Sequence, residues 1–196
     1  MSSGAVRANG AMRGRLFLCM LVCTAAALLL AIPARAQAPA AVTESAVKAA
    51  FLLKFGSFVE WPAGTFARAD QPLVIGISGD EAVAVELERL AAGHTIDGRP
   101  LVVKRVAEAA PAGGVHILYL GARRDARLRE AMGSAPGPIL IVTSQPGARA
   151  LGSVLNFVVD AGRMRFNASI TSAEARNLKL SARLLAVAQD VEGRAK

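Results

Sequence analysis

The chain has 196 residues, 53% hydrophobic and 19% charged, with 23 basic against 15 acidic residues and a formal net charge of +8. Four arginines (Arg7, Arg13, Arg15 and Arg35) fall in the first 36 residues, which hold no acid, so half of that charge sits there and the remainder carries +4 spread along its length. Without a Lys/Arg cluster interleaved with aromatics, a charge this thin leaves no nucleic-acid footprint.

The opening reads as a signal peptide. Met1 to Arg15 is positive, Leu16 to Ile32 is almost wholly apolar, and Pro33 precedes Ala34-Arg35-Ala36, an A-x-A end with cleavage expected after Ala36. The competing reading is a permanent anchor, but an apolar run of about 17 residues is at the short limit for a span. Cys19 and Cys23 lie inside that run and leave with it. Disulfides, thiol nucleophiles and cysteine metal sites are then excluded from the mature chain. Residues 37–42, Ala/Pro-rich, read as a flexible lead, 43–190 as one domain and 191–196 as a tail. Export followed by cleavage predicts a periplasmic protein with no direct membrane insertion.

Thr43 is a helix cap, and Val47, Phe51, Phe55, Phe58 and Val59 recur at steps of three and four. Glu60-Trp61-Pro62 is the expected end of that helix. Leu73 to Ile77 is a buried strand, and Asp80 caps a second helix with Val83, Leu87 and Leu90 inward. Asp97-Gly98 between extended runs predicts a two-residue hairpin. Val115–Leu120 and Ile139–Thr143 are buried strands, with a short helix at Asp125–Met132 between them. Val154–Val159 and Met164–Ile170 flank Asp160-Ala161-Gly162 as an antiparallel hairpin. Thr171 and Glu174 form a capping box for a closing helix, which Asn177 can divide in two. Strands alternating with helices argue an α/β fold: a Rossmann-like, mainly parallel sheet with helices on both faces and a C-terminal antiparallel hairpin plus helix.

The segment from Val47 to Pro62, VKAAFLLKFGSFVEWP, resembles the opening signature of the YfiR-like periplasmic proteins. The later blocks PLVIGISGD (72–80), IDGRPLVVKRV (96–106), VHILYLGA (115–122) and GSVLNFVVDAGRMRFNASITSAEARNLKLSARLLAVA (152–188) follow in that family's order. The resemblance implies a periplasmic α/β protein that binds the extracytoplasmic sensor of an inner-membrane diguanylate cyclase and restrains it, lowering cyclic-di-GMP and biofilm formation. It also implies a homodimer. It carries over no catalytic residue, and the cysteine-based redox control open to some members is closed to this mature chain.

Gly76-Ile77-Ser78-Gly79-Asp80 nearly spells a nucleophile elbow, but Asp80 stands where the motif needs glycine. His116 lies in an apolar strand and His94 beside a hairpin, so a serine hydrolase is the least favoured reading. Two histidines without acidic neighbours at ligand spacing make no metal site. No glycine-rich fingerprint suits a nucleotide cofactor. Lys48, Lys54 and Glu60 read as a solvated edge. Phe51, Leu52, Leu53, Phe55 and Phe58 exceed what one packed face needs: either the helix is buried on two sides, or Phe51, Leu52, Phe55, Phe58 and Trp61 form a partner-binding surface. A third reading is a small-ligand receptor, its cleft near Ser78, Gly79 and Asp80 and near Thr143, Ser144 and Gln145 at the strand ends.

Overall fold

The structure, a computed structural model, describes residues 43–107 and 113–193. The expected leader, both cysteines, the lead at 37–42 and the last residues of the tail lie outside the described residues.

Helix α1 (Glu44–Phe55) starts where the sequence predicts, with Thr43 Oγ1 accepting from the Ala46 N–H at 3.2 Å. It ends sooner than Pro62 predicts. Gly56–Phe58 is a 3-10 turn and Val59–Glu60 already a strand, β1. Packing at Gly56 is close: a Cβ would lie 2.7 Å from Leu73 Cδ2 and 2.8 Å from Ile96 Cδ1. The chain turns extended at Val59, before the proline.

β2 (Leu73–Ser78) leads to α2 (Glu81–Ala91), capped by Asp80 Oδ1 on the Val83 N–H. β3 (Thr95–Ile96) and β4 (Arg99–Arg105) form the expected hairpin, with Asp97 and Gly98 at φ 50° and 77°. β5 (Ile117–Leu120), α3 (Asp125–Gly133) and β6 (Leu140–Thr143) follow. β7 (Leu155–Asp160) and β8 (Arg163–Ser169) make the antiparallel hairpin, and its turn is Ala161-Gly162 alone.

The closing segment corrects the capping-box expectation. Helix α4 (Ile170–Glu174) is capped by Ser169, whose Oγ accepts from the Ser172 N–H at 3.1 Å. β8 runs straight to Ser169, which supplies the extended backbone a cap needs; Thr171 lies inside the first turn, exposed. Asn177, at φ 56°, ends this turn as expected. β9 (Lys179–Leu180) then pairs with β1, Ser181 caps α5 (Ala182–Val187), and β10 (Asp190–Glu192) joins β8 in parallel. The sheet therefore reaches past residue 190.

The main sheet has the order β10-β8-β7-β6-β5-β2-β4-β3. β4, β2, β5, β6 and β7 run parallel, while β3 and β8 are antiparallel to their neighbours β4 and β7. α1 and α2 cover one face, where Leu52, Phe55 and Leu87 share a core with Ile75, Tyr119 and Phe166. α3 covers the other, with Leu128 and Met132 in one cluster with Leu118, Leu120 and Ile141. β5 and β6 are buried on both sides, which is why they read as unbroken apolar runs. β4 differs. Its Val102 and Lys104 are exposed, and among the described residues only β3 pairs with its outer side, at Arg99 and Pro100. No helix among the described residues is long and apolar enough to cross a membrane.

Candidate functional site

The five residues singled out around α1 divide. Leu52 and Phe55 are 0% and 1% exposed and belong to the core, so they cannot contribute to a contact surface. The buried side of the helix is Lys48, Ala49, Leu52 and Phe55: it keeps Phe55 of the expected stripe and leaves Val47 and Phe51 half-buried. Phe51 is half-buried at the rim, its ring 5.9 Å from Phe157 and 5.8 Å from Phe166. Phe58 and Trp61 are also half-buried. The Phe58 carbonyl accepts from the Ser181 N–H, tying this rim to the segment before α5. What remains available at the surface is Phe51, Phe58 and Trp61.

Trp61 leads to a second cluster that the sequence does not reveal. Its indole meets the ring of Phe66 edge-on at 5.9 Å, and its buried Nε1 has no hydrogen-bond partner. Phe66 lies flat on His116, and the Arg99 guanidinium sits 4.0 Å from the Phe66 centroid. Arg99 also donates to the carbonyls of Arg68, Ala69 and Gln71, pinning the loop to the sheet. Burial, and then the Arg99 charge, push the His116 pKa down.

The carboxyl ends of the strands hold a third group. Ser78 is buried with its Oγ unpartnered, and Thr143 is buried with its Oγ1 bonded to Asn156 Oδ1 at 2.7 Å. The gap between β2 and β5, where the sheet changes winding direction, is closed. Arg123 donates to the Ser78 and Gly121 carbonyls, and a Cβ on Gly121 would lie 2.5 Å from the Gly79 oxygen. Of the expected cleft residues, Ser78 and Gln145 are bridged by Arg123, whose backbone N–H donates to Gln145 Oε1 at 2.9 Å, and Asp80 and Ser144 are joined by Tyr119. Its Oη lies 3.1 Å from Asp80 Oδ2 and 2.9 Å from Ser144 Oγ, so it donates to the carboxylate and accepts from the serine. Burial, above all, raises the phenol's pKa.

Beside this triad lies Lys48, which is not the solvated residue its pattern predicts. It is only 9% exposed, and its Nζ stands 2.6 Å from Glu44 Oε1, one helical turn earlier. The i,i+4 Glu-to-Lys spacing was a readable signal for that pair. Burial works to lower the ammonium's pKa, but the bond to Glu44 and the charges of Glu44 and Asp80 outweigh it, and the net direction is upward. Lys48 and Ser144 line a cavity of about 350 Å³ between α1 and the β7–β8 hairpin.

The hydrolase geometry is not assembled by these residues. The His116 Nδ1 accepts from the Val74 N–H at 3.0 Å. Ser78 lies four residues further along β2, roughly 13 Å at the rise of an extended strand. His94 is on the surface, beside the Ala92 carbonyl. Among the described residues no three His, Cys, Asp or Glu side chains group as metal ligands.

The family model described as YfiR/HmsC-like matches residues 45–189. A solved structure, described as a conserved domain protein from Vibrio cholerae O1 biovar El Tor, aligns at 16% identity with a TM-score of 0.47. The match covers 61% of this chain and 54% of that one, so the chain spans about half the length of that structure. No curated protein matches.

Proposed function

Because the chain belongs to the YfiR/HmsC-like family, we propose that it works by binding and not by catalysis, as a periplasmic regulator of an inner-membrane signalling protein. The partner is a diguanylate cyclase, whose extracytoplasmic sensor it occupies and holds inactive, lowering cyclic-di-GMP and biofilm formation. The leader at 1–36 delivers it and is removed after Ala36, and the working form is a homodimer. The observation that carries this reading is the family match, which runs from the first turn of α1 to the residue before β10.

The site geometry supports it. Ser78 and His116 sit at opposite ends of their strands, without the hydrogen-bonded base a serine nucleophile needs. The half-buried aromatics Phe51, Phe58 and Trp61 offer the apolar anchors that binding surfaces use. Phe58 is the residue to test, since Phe51 also packs on Phe55 and the hairpin.

The test is co-purification of the protein with the extracytoplasmic sensor domain of a membrane diguanylate cyclase from the same cell, wild type against Phe58→Asp. A stable complex, weakened at least ten-fold by a folded Phe58→Asp variant, is expected. Failure of the wild type to bind any membrane sensor, together with turnover of a hydrolase substrate abolished by Ser78→Ala, would replace this reading with an enzyme.

A further inference from the structure

The cavity between α1 and the β7–β8 hairpin has the construction of a ligand site, and its chemistry is specific. Its body is hydrocarbon: Pro146, Phe157, Val158 and Met164. Its polar part is Lys48 with Glu44 and Ser144, and about 350 Å³ is within the range of small-molecule pockets. A lysine ammonium carries three donors, and among the described residues Lys48 has one ionic partner, Glu44. An ammonium at 9% exposure beside an apolar cavity, whose one ionic partner is a solvent-exposed carboxylate, is suited to an acceptor brought from outside in that partner's place.

We propose that this cavity binds a small apolar monocarboxylate, whose carboxylate takes the place of Glu44 on Lys48. Charge decides the class. Glu44 and Asp80 already set two negative charges against one ammonium. A dianion such as a phosphate monoester would add charge with no cation to match it. An amine would meet Lys48 head-on. A monocarboxylate exchanges one carboxylate for another, because Glu44, with its side chain 61% exposed, can turn into water at little cost. The hydrocarbon tail then lies against Phe157, Val158 and Met164. This inference does not depend on the regulatory reading, since it is tested on the purified protein without any partner.

The probes are octanoate and 3-phenylpropionate, with 1-octanol and 3-phenylpropylamine as size-matched controls, followed by thermal shift and calorimetry. The carboxylates are expected to raise Tm and the controls not to. The two partners of the ion pair should respond in opposite directions. Lys48→Met should weaken carboxylate binding at least ten-fold, while Glu44→Gln, which removes the internal competitor, should tighten it several-fold. Met164→Trp, which fills the cavity and leaves every charge in place, should abolish binding, so the proposal stays testable if Lys48→Met fails to fold. Absence of binding, equal binding of octanol, or binding unchanged in Met164→Trp would each overturn it.

Discussion

The imidazole of His116 lies flat on the ring of Phe66, with centroids 4.5 Å apart and planes 16° from parallel. One of its nitrogens accepts from the Val74 N–H, so the ring is held neutral with its proton on the other nitrogen. Protonation would abolish that acceptor and set a second cation near Arg99, which also lies against the Phe66 ring.

Stability should therefore fall with pH in a defined window. The folded-state pKa of His116 is lowered from 6.5, so below 6.5 the unfolded chain takes up a proton before the folded one does. The contribution is complete above 6.5 and is lost as pH falls through the lowered folded value. Urea midpoints between pH 7.5 and 5 should drop for the wild type. His116→Phe, which stacks without titrating, should start lower but slope less. Parallel slopes for the two proteins would show that other groups carry the effect.

Tyr119 is fully buried and its hydroxyl joins Asp80 to Ser144. Tyr119→Phe keeps the ring and removes the bridge, leaving Asp80 and Ser144 without it. A loss of about 1–3 kcal/mol is expected from chemical denaturation. A neutral result would mean that water replaces the hydroxyl at no cost.

Two glycines should differ in tolerance. At Gly56 an added Cβ meets the ends of Leu73 and Ile96, which can shift, whereas at Gly121 it meets the backbone oxygen of Gly79. Gly56→Ala should cost about 1–3 kcal/mol, as ordinary overpacking does. Gly121→Ala should cost more, because no rotamer change relieves it. Thermal melts of the two variants rank them directly, and the reverse order would show that the Gly79 turn yields more easily than the α1 contact.

Leu52 and Phe55 should behave as core residues. Leu52→Ala is expected to cost about 2–5 kcal/mol and Phe55→Ala about 3–5 kcal/mol. Phe58→Ala, half-exposed, should cost distinctly less. Equal losses at all three positions would place Phe58 in the core and remove it from the proposed binding surface.

Local patterns carried the fold well. Thr43 and Asp80 were legible as caps, Asp97-Gly98 as a turn, and the runs at 115–120 and 139–143 as strands, because each depends on chemistry within a few residues. Contacts between distant residues were not legible. Gly56 is packed against Leu73 and Ile96, and neither is near it in sequence. β9 and β10 are too short to show a period, and their partners β1 and β8 define them. The site suffered most. Lys48 looks solvated on a helical wheel, and only the fold brings Asp80, Tyr119 and Ser144 beside it from three different strand ends. Phe66, Arg99 and His116 meet through a loop that carries no motif.

Past Pro100 the outer rim of β4 is bare among the described residues, an invitation to any stray extended chain. The rim is guarded by its own side chains. Lys104 is exposed there, and Arg105 is clasped by Glu81 and Glu88 of α2. A sister molecule attempting to zip on would bring like charge against like. Neutralising Lys104 would take that charge off the open edge.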